Sequence, residues 1–150
     1  MAEELPFEIQ NLIVAQAPDA ILYADAAGII RLWNRGAERI FGAPATAALG
    51  QSLDLIIPER LRVRHWQGWH QVMQTGESRY GEALLKVPAL KADGSQFSSE
   101  FSIVMIKDAA GAVQGVAAIL RDVTAQWERE QELNRKLSEL SAGSEGAKPA

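Results

Sequence analysis

The sequence predicts an α+β fold with an antiparallel sheet. Two observations carry this. Two strand-like runs come first, helical segments occupy the middle, and three strand-like runs come last, so strands and helices are grouped rather than alternating as in βαβ units. Asp93-Gly94 between two of the later runs is a tight hairpin signal.

The elements follow in order. Residues Phe7 to Gln16 read as an amphipathic helix with Phe7, Ile9, Leu12 and Ile13 apolar, stopped by Pro18. Ala20 to Asp25 is a β-rich run. Ala26, Ala27 and Gly28 form a turn, and Ile29 to Trp33 is a second run, so the two make a hairpin. Asn34 is a good N-cap for a helical stretch that carries Ile40 and Phe41 and ends at Gly42. Two short segments then close at Gly50 and Pro58, each too short to be a stable helix alone. Glu59 to Gln74 is the longest helical pattern of the body. Leu61, His65, Trp69 and Val72 form its stripe, Gly68 lies inside it, and Trp66 and Met73 flank it. Ala83 to Leu90, Phe97 to Ile106 and Val113 to Val123 read as strands. In the second of these Phe97, Ser99, Phe101, Ile103 and Met105 share a face, opposite Ser98, Glu100 and Ser102.

From Thr124 the pattern changes. Val123, Gln126, Glu130, Leu133, Leu137 and Leu140 recur at spacings of three and four, which is a heptad seam. Leu133, Leu137 and Leu140 are the expected contacts of a homodimer. Residues 142–150 are small and polar and are expected to be disordered. The expected division is therefore a cap helix over 1–16, a body over 17–124, a helix over 125–141 and a tail.

Composition narrows the function. The 150 residues are 47% hydrophobic and 23% charged, ordinary for a globular domain. The net charge of −4, without basic clusters, argues against nucleic-acid binding. No apolar run reaches membrane-spanning length and the N-terminus has no secretory pattern, so no membrane contact and a cytoplasmic location are expected. There is no cysteine, which removes disulfides, thiolate metal sites and thiol catalysis. The chain has no Gly-rich phosphate loop and no Ser-His-Asp candidate. Trp66 follows His65 and Gln71 follows His70, where a phosphoacceptor histidine wants an acidic residue. The expectation is a non-enzyme.

Five stretches in order resemble the PAS family of sensory domains from about Ala17 to Thr124. They are APDAILYADAAGIIRLWNRGAERIFG, ALGQSLDLIIPER, TGES, LKADGSQFSSEFSI and GAVQGVAAILRDVT. The resemblance implies a five-stranded antiparallel sheet cupped by short helices, with a ligand pocket between them, an N-terminal cap helix and a C-terminal signalling helix. It implies a signal-transduction module that binds a small ligand or a partner and relays the event to a separate output protein.

Such pockets hold haem, flavin, other small molecules or nothing. Cysteine-linked flavin or chromophore is excluded here by composition. Arg62-Val63-Arg64-His65 is similar to the stretch holding the axial histidine in the oxygen-sensing haem subgroup of the FixL type. That similarity implies a haem b sensor with His65 on the iron, lined by Leu61, Gly68, Trp69 and Val72 and by Leu84 and Ile103 from the strands. Gly81-Glu82-Ala83-Leu84 lacks the arginine which that subgroup uses to hold oxygen, and this speaks against oxygen sensing of that kind. A half-buried structural histidine explains His65 equally well. His70 lies about 140° further round the helix, so the two histidines cannot share a metal, and it is expected in solvent. Flavin ranks below haem, since of four tryptophans only Trp66 and Trp69 lie near the pocket and core packing explains both. A ligand-free dimerisation module is the third reading.

Overall fold

The computed structural model describes residues 3–78 and 83–146. The chain runs α1 (Phe7–Gln16), β1 (Ala20–Asp25), β2 (Ile30–Trp33), α2 (Arg35–Phe41), α3 (Ala45–Ala48) and 3-10 turns at Leu53–Ile56 and Glu59–Leu61. It continues through α4 (Arg62–Thr75), β3 (Leu85–Leu90), β4 (Gln96–Lys107), β5 (Val113–Asp122) and α5 (Thr124–Gly146). The strands form one sheet in the order β2-β1-β5-β4-β3, with every neighbouring pair antiparallel. The first and last thirds of the chain thus meet at the β1–β5 seam, where Ala20 faces Leu120, Leu22 faces Ala118 and Ala24 faces Val116.

Strand alternation sends one row of each strand into the core. On β1 that row is Ala20, Leu22 and Ala24, all buried, while Ile21, Tyr23 and Asp25 alternate on the other face. Small residues on the inner row leave height for large ones. Trp33, Phe41 and Phe97 fill it, with ring centroids 5.1 Å apart for the first pair and 5.5 Å for the second. Aromatic pairs in this range add about 0.5–1.5 kcal/mol beyond burial. The Trp33 indole donates to the Ala43 carbonyl at 2.9 Å, so its one polar atom is satisfied.

Asp25 organises the β1–β2 turn. One carboxylate oxygen accepts from the Ala27 and Ile29 amides at 3.0 and 3.1 Å, and the other from Arg31 at 2.8 Å. That arginine bond, helped by the backbone amides and opposed by slight desolvation, holds the carboxyl below its usual range. The segment 50–53 then runs along the outer edge of β2. Ile30 and Leu53 amides bond Gln51 and Gly28 carbonyls, and the Gly50 amide bonds the Ile30 carbonyl, so this edge is covered.

Three boundaries differ from the sequence reading by more than one residue. The helix expected from Glu59 starts at Arg62, because 59–61 wind as a 3-10 turn after Pro58. The third strand begins at Leu85, not Ala83. Helix α5 continues to Gly146, so residues 142–146, expected as disordered, are helical. Ser141 and Ala142 cost at most tenths of a kcal/mol at the end of a helix already running, while Gly143 costs about 1 kcal/mol. Residues 147–150 of that expected tail, and Gly81 and Glu82, lie outside the described residues. Among the described residues no helix is long and apolar enough to cross a membrane.

Candidate functional site

Helix α4 is seated on the β1–β2 turn by two indoles. Trp69 is buried and donates to the Ala26 carbonyl at 3.0 Å. Trp66, three residues earlier, donates to Asp54 Oδ1 at 2.8 Å and lays its six-membered ring against Gly28. A Cβ at Gly28 would sit 2.3 Å from that ring, and the residue has φ +79°, so glycine is required on both counts. Met73 continues the same side of the helix onto the core. The core-facing stripe is therefore Trp66, Trp69 and Met73, rotated from the expected stripe of Leu61, His65, Trp69 and Val72. The rotation has a cause. The tryptophans bury the most apolar surface, and each finds an indole acceptor only on this side.

His65 lies beside this stripe, half-buried. Its ring meets Trp66 edge-on at 4.7 Å and lies 5.9 Å from Trp69. Its Nδ1 is buried and has no hydrogen-bond partner in the protein. Burial pushes the imidazole pKa below its ordinary 6.5, opposed by the Asp54 carboxylate. Arg62 crosses the same corner, donating to the carbonyls of Ile57 at 3.1 Å and Asp54 at 3.2 Å.

The other expected lining residues divide. Val72 and Leu61 are half-buried and Ile103 is half-buried on the inner row of β4. Gly68 is exposed, and a Cβ there would meet nothing within 4 Å, so it clears open solvent and not a pocket. Leu84 is 60% exposed ahead of β3. Both were expected to line the cavity; the rotation of α4 turns Gly68 outward, and the late start of β3 leaves Leu84 off the sheet. His70 is exposed, as its angular offset requires. A haem slot needs a flat apolar gap beside the axial imidazole. Here the Trp66 ring, held by Asp54 and Gly28, packs edge-on against His65, and Gly68 and Leu84 do not line the site.

The second feature is the joint between sheet and α5. The Val123 amide donates to the Ser98 carbonyl at 2.8 Å, and the Ser98 amide donates back to Thr124 Oγ1 at 3.0 Å. Asp122 Oδ1 accepts from the Thr124 amide at 2.9 Å, an N-terminal cap for α5. Beyond the joint α5 is exposed, with Leu133, Leu137 and Leu140 open to 59%, 63% and 71%. Helix α1 is also uncovered, and Phe7 is 79% exposed. Sequence reasoning missed Asp54 and Gly28 as the seat of Trp66. Only the Gly28 turn left a trace in the sequence, and nothing there linked it to Trp66.

An antiparallel five-stranded sheet with helices over its inner face and one helix leaving its last strand makes a small α+β domain. The chain matches the PAS fold family over residues 14–128 and belongs to it. It is 35% identical over 118 residues to an uncharacterized protein of Azorhizobium caulinodans, covering 78% of this chain and 16% of that protein. It is 29% identical over 128 residues to the sensor protein FixL of Bradyrhizobium diazoefficiens, covering 85% of this chain and 25% of that protein. The chain thus spans a quarter or less of these curated relatives. Among solved structures, the PAS domain of a Colwellia psychrerythraea protein superposes with a TM-score of 0.69 at 22% identity, covering 79% of this chain and 98% of that one. An RNA-binding light-oxygen-voltage receptor superposes with a TM-score of 0.74 at 22% identity over 92% of this chain and 40% of that one. PAS domains of this kind are found in histidine kinases and other sensor proteins.

Proposed function

We propose that this chain is a non-catalytic input and relay module that works as a homodimer, taking its signal as a small ligand or a partner and passing it through α5. The observation that carries the reading is the seam on that helix. Leu133, Leu137 and Leu140 lie at spacings of four and three, are exposed, and sit on a helix anchored at only one end, by Ser98 and Asp122. A matching helix from a second copy would bury them. Each leucine contributes about 1.5–3 kcal/mol when fully buried, and association costs on the order of 4–15 kcal/mol. Three leucines therefore support a weak, concentration-dependent dimer, with Phe7, Leu12 and Ile13 of α1 as the further apolar surface. A movement of the sheet at Ser98 would change the exit angle of α5 and so the geometry of the pair. The output is carried by, or bound to, whatever follows that helix. A cytoplasmic location goes with this reading as an expectation.

Light scattering over a dilution series tests it. The expected result is a dimer that dissociates on dilution, and a Leu137→Asp variant that is monomeric throughout with an unchanged circular dichroism spectrum in the strand region. A wild-type monomer at every concentration, or a dimer indifferent to Leu137→Asp, overturns it. The haem reading is decided in the same preparation. A Soret band after reconstitution, lost in His65→Ala and kept in His70→Ala, would establish it against the Trp66 packing beside His65.

A further inference from the structure

We infer that the cleft at the root of α5 binds the oxyanion group, carboxylate or phosphate, of a small molecule. This deepens the reading above by naming a ligand class, and its binding arm is independent of the dimer. The cleft has a volume of about 340 Å3 and is lined by Asp19, Arg39, Ile40, Lys91, Arg121 and Asp122. They come from four places in the chain: the entry to β1, helix α2, the β3–β4 turn and the end of β5. The volume is at the small end for ligand sites, which suits a small acid rather than a nucleotide.

Charge accounting points to an anion. Both carboxylates accept hydrogen bonds, and Asp19 is paired with a cation. Asp19 Oδ2 accepts from Arg121 at 2.9 Å, and Asp122 Oδ1 accepts from the first amide of α5 at 2.9 Å. The cations are less fully matched: Arg39 pairs with no carboxylate, and Lys91 feels only the exposed Asp93 carboxylate of its own turn, which lies outside the cleft. Arg39 donates to the neutral Pro18 carbonyl at 2.8 Å, and its guanidinium has further N–H groups to offer. The Lys91 ammonium stands 5.4 Å from the ring centroid of buried Phe97. Among the described residues neither has a carboxylate within 4 Å. In a chain of net charge −4, the lining of this one cleft thus carries three cations against two carboxylates beside buried Ile40, an excess of one positive charge. Guanidinium and ammonium donors converging from different elements are the usual means of holding an oxyanion. The site also touches the relay. A ligand drawing Arg121 from Asp19 would act on the residue beside Asp122, whose carboxylate caps α5.

Isothermal titration calorimetry of the whole chain with citrate and with inorganic phosphate, each against sodium chloride of matched ionic strength, tests this. Saturable one-site binding of at least one probe is expected, and which probe binds separates carboxylate from phosphate. Lys91→Met keeps the alkyl stem over Phe97, and it and Arg39→Gln should each weaken binding about tenfold, the loss of one charged hydrogen bond. Lys86→Met on the sheet surface should leave it unchanged. Should a cleft variant unfold, amide shifts of Arg121 to Thr124 in the wild type on adding the probe give the same answer. Binding that persists in the Leu137→Asp monomer shows that the site stands without the dimer. No saturable binding of either anion, or binding that survives both cleft substitutions, overturns the inference.

Discussion

Two polar side chains sit on the inner side of this domain in opposite conditions. Asn34, 5% exposed, has its amide fully engaged. Its oxygen accepts from the Ile21 amide at 2.8 Å and the Ala37 amide at 2.9 Å, and its nitrogen donates to the carbonyls of Val14 at 2.8 Å and Asp19 at 3.1 Å. It ties α1, β1 and α2 into one knot. Close by, Gly36 lets α2 approach so near that a Cβ would stand 2.0 Å from the Asp19 carbonyl oxygen. His65, on the other side of the sheet's helical cover, has a buried Nδ1 with no partner, held among tryptophans. A satisfied buried network rigidifies, and an unsatisfied group is where the structure has least to lose by rearranging. The end at Asn34 is thus a fully satisfied frame, and the corner at His65 holds one buried nitrogen without a protein partner.

The largest expected effect follows from breaking the frame. Asn34→Ala removes an N-cap, which costs about 1 kcal/mol, and strands the buried Ile21 amide and the Val14 carbonyl, at about 1–3 kcal/mol together. A loss of about 3 kcal/mol in urea unfolding is expected. Asn34→Asp keeps the acceptor for Ala37 but sets a buried carboxylate oxygen against the Val14 and Asp19 carbonyls, and should lose at least as much as Asn34→Ala at neutral pH. A loss below about 1 kcal/mol for Asn34→Ala would mean that the knot is no firmer than an ordinary cap.

The next effect concerns the seat of α4. Gly28→Ala forces an L-residue to φ +79° and drives a methyl into the Trp66 ring. The backbone strain alone is about 1 kcal/mol, and the overpacking adds about 1–3 kcal/mol. In a Trp66→Leu background only the backbone part should remain, so the double-mutant cycle is expected to show strong coupling. Additive losses would place Trp66 away from Gly28.

Much of this is legible in the sequence. Strand alternation located β4 because it buries one face, β-rich composition located β1, and Asn34 and Gly42 bracketed α2 because caps are local chemistry. The facing of α4 was not legible. Its apolar residues spread over about half of its circumference, and the choice within that arc was made by Asp54 and the Ala26 carbonyl, which lie twelve and forty-three residues from the indoles they bind. The same holds for Asn34. Its cap bond to Ala37 is written three residues away, but its bonds to Val14 and Asp19 depend on how the chain returns. The charged cleft draws Arg39, Lys91 and Arg121 from separate elements and leaves no spacing to read.

The smallest effect is the sharpest test of the corner at His65. Burial lowers its pKa in the folded protein, while the unfolded chain has the ordinary 6.5. Above that value both states hold a neutral imidazole and nothing depends on pH. Below it the unfolded chain takes up the proton first, so stability should fall as pH falls through the window between the ordinary pKa and the lowered one. The groups around the ring decide how steep the fall is. The Asp54 carboxylate favours the protonated ring, and Arg62, 3.9 Å from that carboxylate, weakens its pull. Asp25, also lowered, acts in a different window, since its contribution is lost only as pH drops below the usual carboxylate range. His65→Phe keeps an aromatic ring among Trp66 and Trp69 and removes both the orphan nitrogen and the titration. It should match or slightly exceed the wild type in urea unfolding at about pH 8 and exceed it clearly at about pH 5. Equal stability of the two proteins at both pH values would show that His65 finds a partner in solution and belongs with Asn34 in the satisfied frame.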